Sequence, residues 1–166
     1  MRKVTFVKRP DNIQKLMLYE STEGVYLFGY DCLQDTSAKW DNWYMDVQTA
    51  IEYCSDVYGV GEETWISISD PCEHCQHDFI SPTRIKGREI DKPMWGQLES
   101  LENGKWKETV EHTRYQSFDG LTGNERLFVS GLMTEFDQAQ RRDREKAIQI
   151  LRALDFDESS IKKIVK

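Results

Sequence analysis

Apolar and polar positions alternate over the first thirty residues, and the period changes after that. Lys3-Val4-Thr5-Phe6-Val7-Lys8 alternates as a strand and is stopped by the turn formers Arg9-Pro10-Asp11-Asn12. Lys15-Leu16-Met17-Leu18-Tyr19 and Val25-Tyr26-Leu27-Phe28-Gly29-Tyr30 flank Ser21-Thr22-Glu23-Gly24, whose glycine can supply the positive φ a hairpin loop needs. The pattern predicts an antiparallel meander of three strands.

Residues 31–45 lose the alternation and carry Trp40, Trp43 and Tyr44 among aspartates, which predicts a loop laid over the sheet. Its rings either cap the edge of the core or form a binding surface. Val47, Ala50, Ile51, Cys54, Val57 and Tyr58 then recur at helical spacing, predicting a helix from Asp46 to Tyr58 with Asp46 as N-cap and Gly59 as stop. Cys54 falls on the apolar stripe and reads as a core residue. Trp65-Ile66-Ser67-Ile68-Ser69 alternates as a fourth strand.

Phe79 to Gly87 is extended in character, and Pro82 places it at an edge or a bulge. Met94 to Leu101 and Lys105 to Val110 predict a hairpin around Glu102-Asn103-Gly104. Residues 111–121 are polar and read as a connector. Thr122-Gly123-Asn124-Glu125 has capping-box spacing, and the stripe Val129, Leu132, Met133, Phe136, Ala139 predicts one helix from Gly123 to Gln140. Ala147, Ile150, Leu151 and Leu154 predict a second helix after Asp143, and Asp157 caps a last short one with Ile161, Ile164 and Val165.

The expected fold is therefore α+β: an antiparallel sheet of six or seven strands with one packed helix over residues 1–110, a connector over 111–121, and a tail of two or three helices over 122–166, arranged as a helical hairpin. An apolar fraction of 39% supports a folded chain despite 31% charged residues. No apolar signal segment follows Met1 and no run approaches the roughly 18 apolar residues of a membrane span, so a cytoplasmic protein is expected. Four cysteines are too sparse for a disulfide scaffold.

The net charge of −7 is uneven. Residues 1–124 hold 13 Lys and Arg against 21 Asp and Glu, whereas residues 125–166 hold 9 against 8. From Asp31 to Asp78 there are eleven acidic residues and one lysine, Lys39. Such a field repels nucleic acid and attracts a basic partner. The small basic run Arg84, Lys86, Arg88, Lys92 is broken by Glu89 and Asp91 and reads as a solvated strand face.

The densest candidate chemistry lies in Pro71-Cys72-Glu73-His74-Cys75-Gln76-His77-Asp78. Cys72, Cys75 and His77 have zinc-like spacing, with a fourth ligand to come from Cys32, His74 or His112 through the fold. The same residues can instead form an unmetallated turn. The Cys72-x-x-Cys75 pair follows a predicted strand, as redox dithiols do, but Gln76 to Ile85 has no helical stripe to activate it. His74, His77 and Asp78 are candidates for acid–base work, and no nucleotide, hydrolase or metalloprotease motif occurs.

The segment Cys75 to Gly87, with Pro93, Trp95-Gly96 and the Asn103-Gly104-Lys105-Trp106 hairpin, resembles small uncharacterised bacterial proteins. Asn124 to Leu132 resembles their helical C-terminal extension, and Leu154-Asp155-Phe156-Asp157 between two short helices resembles hairpins of the ubiquitin-associated type. The resemblance implies a bacterial, cytosolic origin and two joined modules, and no activity. The expected function is a non-enzymatic interaction module, immunity-type or regulatory. Its acidic, aromatic surface of Trp40, Asp41, Trp43, Tyr44 and Asp46 would receive a basic protein. No cofactor is expected in that reading; the alternatives are a zinc-stabilised module on Cys72, Cys75 and His77 and a small enzyme on His74, His77 and Asp78.

Overall fold

The computed structural model describes residues 1–8, 12–109 and 114–165. It is α+β, with two antiparallel sheets in place of the single sheet expected. The five-stranded sheet has the order β4-β3-β2-β1-β5, formed by β1 Arg2–Phe6, β2 Lys15–Glu20, β3 Val25–Tyr30, β4 Trp40–Tyr44 and β5 Ile66–Ile68. The second sheet, β6-β7-β8, is built from Thr83–Ile85, Leu98–Glu102 and Lys105–Glu108. The chain leaves the first sheet at β5, runs through the Cys/His segment, and pairs again only after Pro82. β6, which Pro82 immediately precedes, is an edge strand, as the proline predicts.

The predicted loop over residues 31–45 contains β4, an edge strand paired in register with β3 from Val25↔Tyr44 to Gly29↔Trp40. Its period was hidden because both faces carry large rings and the middle of the strand is exposed. The second difference lies in the tail, where the single helix expected over Gly123 to Gln140 is two: α2 Gly123–Val129 and α3 Met133–Arg142. Gly131, at φ 77, turns the chain between them, a conformation open to glycine at little cost. Two further helices, α4 Arg144–Ala153 and α5 Glu158–Ile164, make four in the tail. The expected boundary near residue 110 lies outside the described residues.

Both faces of the large sheet are covered, which explains why β2 is buried at four successive positions. On one face Leu16, Leu18, Val25 and Leu27 pack against Ala50, Ile51 and Cys54 of the helix Val47–Tyr58, α1. Asp46 caps α1 by accepting the Thr49 N–H at 2.8 Å, and Gly59 ends it at φ 66, as the sequence predicts. On the other face Val4, Met17, Tyr30 and Ile66 share a core with Leu132, Ile150, Leu151 and Leu154 of the tail. The apolar stripe of the tail is therefore spent on the sheet. Among the described residues no helix is long and apolar enough to cross a membrane.

Candidate functional site

The tail-side face of the sheet carries charges as well as apolar groups, and these hold the Cys/His segment. Arg2 pairs with Tyr19 and Ile68 across β1, and only 3% of it is exposed. A buried guanidinium needs acceptors for its fork of N–H groups. Arg2 donates from Nε to the Ser69 carbonyl at 2.7 Å and from its two Nη atoms to the carbonyls of Phe79 and Ile80, so one side chain ties both ends of the segment. Burial draws the Arg2 pKa down, against the pull of Asp35 and Asp70.

Asp35 answers from the opposite side, accepting the N–H groups of Ile80 and Ser81 at 2.7 Å each. Burial raises its carboxyl pKa, and Lys15 with the two N–H bonds opposes the rise. Lys15 is itself fully buried, donates to the Gln34 carbonyl at 2.6 Å and lies over the Tyr30 ring. Tyr30 donates from its hydroxyl to the Asp78 carbonyl at 2.6 Å, and Asp78 Oδ2 accepts the Ala38 N–H at 2.9 Å.

Inside the segment, Cys75 N–H donates to the Cys72 carbonyl at 3.0 Å, closing a turn with His74 at φ 66. Cys72 is exposed and Cys75 only 4% so, and burial pushes the Cys75 thiol pKa up. His74 Nε2 lies 3.6 Å from Glu73. The His77 ring packs on Tyr19 with centroids 4.5 Å apart, and burial, then Arg2 and Arg88, lower its pKa. His74, His77 and Asp78 thus have three separate partners and do not assemble a relay. No group of three or more His, Cys, Asp or Glu among the described residues could hold a metal ion. His112 lies outside them, and Cys32 is fully buried in the core.

Between this segment and the sheet lies a cleft of about 590 Å³. Its aromatic wall is Tyr19, Tyr26 and Phe28, the last two with near-parallel rings, 6.1 Å between centroids and 10° between planes. Carboxylates of Glu20, Asp41, Asp70, Glu73 and Asp78 also line it, against the single arginine Arg88, which donates to Gln76 Oε1 at 2.6 Å. The two regions singled out in the sequence, the acidic aromatic stretch and the Cys/His cluster, meet here through Asp41.

The five predicted partner-binding residues do not share one surface. Side chains alternate along a strand, so Asp41 and Trp43 face the cleft side with Phe28 and Tyr26, their cross-strand partners. Trp40 and Tyr44 face α1, where Trp40 stacks on Tyr58 and Tyr44 packs at a tilt against Tyr53. Asp46 is occupied as the helix cap. Tyr19, Glu20, Tyr26 and Phe28 were not anticipated. Their signal was present: a hairpin over Ser21–Gly24 puts Tyr19 opposite Tyr26, and period two adds Phe28 to the same face. The chain matches no protein-family model, no curated protein and no solved structure.

Proposed function

We propose that the protein is a non-enzymatic interaction module that receives a basic segment of a partner protein in the cleft between β2–β4 and the Cys/His segment. The observation that carries this reading is the combination of an aromatic wall with five carboxylates and one arginine in a single concave site. A lysine or arginine side chain gains cation–π attraction over Tyr26 or Phe28 while its charge meets Asp41 on the same face, and the acidic field around the site steers the encounter. A hydrolytic or proton-transfer role has less support, because the segment's histidines and Asp78 are engaged apart from one another.

Affinity capture from an extract of the native cell, with the wild type and an Asp41→Lys/Glu73→Lys variant side by side, tests it. The expected result is a basic protein retained by the wild type at low salt, released as salt rises, and lost with the variant. Retention unchanged by charge reversal overturns the assignment of the cleft.

A further inference from the structure

Cys72 and Cys75 remain without a role in the interaction reading, and both are free thiols brought together by one turn. The Cys75 N–H to Cys72 carbonyl bond closes a four-residue turn. Such a turn holds its first and last Cα within about 7 Å, and a disulfide spans about 4.4–6.8 Å between Cα atoms. One is exposed in the cleft wall and the other buried beneath it, the division of labour that exchange requires: an accessible attacking sulfur and a shielded resolving one. The segment around them is clamped at Ser69, Phe79, Ile80 and Ser81, so the pair can close without displacing the core.

We infer that Cys72 and Cys75 form a thiol–disulfide exchange site that takes a small disulfide of the glutathione class as oxidant. The Cys72 thiolate attacks one sulfur of the disulfide, forming a mixed disulfide and releasing one thiol. Cys75, on losing its proton, attacks the Cys72 sulfur and expels the second thiol, which takes up a proton. Two protein thiols are oxidised to one disulfide, and one small disulfide is reduced to two thiols.

The test uses the whole chain in glutathione buffers of increasing oxidised fraction, with chelator present, followed by acid quench, denaturation, exhaustive alkylation and intact-mass measurement. Reduced protein should carry alkyl groups on all four of its cysteines, and oxidised protein on Cys32 and Cys54 alone, with the bridge mapped to Cys72 and Cys75 by peptide analysis. Cys75→Ser should accumulate one glutathione on Cys72, and Cys72→Ser, altered at an exposed position, should form neither product. Full alkylation at every ratio, or a bridge that involves Cys32 or Cys54, overturns the inference. Because Cys75 is buried and its variant can misfold, the wild-type map and Cys72→Ser decide the matter by themselves.

Discussion

Gly131 lies so close to Asp35 that a Cβ added to the glycine would stand 2.6 Å from Asp35 Oδ2. That carboxylate accepts the N–H groups of Ile80 and Ser81, and the Asp35 N–H donates to the Val129 carbonyl at 2.8 Å. The α2–α3 turn, the loop after β3 and the Cys/His segment therefore meet at one point. Gly131→Ala adds a side chain at φ 77 and displaces the carboxylate, and the two penalties together should cost about 2–3 kcal/mol. Urea denaturation measures the loss. Hydrogen exchange at the Ile80 and Ser81 amides should accelerate in the same variant, whereas protection unchanged at both would separate Gly131 from the clamp.

Trp40 and Trp43 are three residues apart on one strand and should behave differently. Trp40 is partly buried, stacked on Tyr58 at 6.4 Å and laid over Gly29, where a Cβ would come within 2.2 Å of its ring. Trp40→Ala should cost about 2 kcal/mol, less than for a fully enclosed tryptophan. Trp43 is 51% exposed, and Trp43→Ala should lower the unfolding free energy by only about 0.5 kcal/mol. Paired thermal melts check the order, and equal losses would contradict the two-sided strand.

The same two residues show where the sequence was legible and where it was not. The apolar strands β1 to β3 and the capped helices α1, α4 and α5 follow from apolar runs bounded by turn residues, helical spacing and Asp caps. An edge strand with aromatic rings on both faces has no such run, so β4 read as a loop. The break at Gly131 was hidden because Leu132 and Met133 continue the helical stripe across it, and the stripe alone does not reveal a positive φ. The clamp was invisible for another reason. Arg2 and Lys15 are charged residues that the sheet buries and Asp35 is half-buried in the loop after β3, and only the fold shows the carbonyl and N–H groups that satisfy them.

Glu135 on α3 should make stability depend on acidity. Burial would raise its carboxyl pKa, but Lys146 from α4 donates to it at 2.7 Å and the Ser69 N–H at 2.6 Å, and these bonds bring the net shift below the usual value. A carboxylate with a depressed folded pKa contributes stability above its unfolded value, near 4.5, and loses it as pH falls through the folded value. Glu135→Gln should therefore be less stable than the wild type at pH 7. The gap should narrow below pH 4.5, as urea midpoints taken from pH 7 to pH 3 would show. A gap that is constant over this range would mean that Glu135 acts through packing alone.

Arg2 offers the sharpest contrast between a segment held by hydrogen bonds and one held by metal. Its guanidinium bonds the carbonyls of Ser69, Phe79 and Ile80, and a methionine there would leave three acceptors without that donor while keeping the apolar stem. Arg2→Met should cost about 3 kcal/mol, the scale for removing a buried, fully bonded charge from its partners. A chelator such as EDTA added to the wild type should leave the melting temperature unchanged, because Arg2 and Asp35 already bond the backbone at residues 69 and 79–81. The two treatments discriminate cleanly: a large fall with chelator and a small one with Arg2→Met would shift the support of the segment from the guanidinium to a metal, and return Cys72, Cys75 and His77 to the role of ligands.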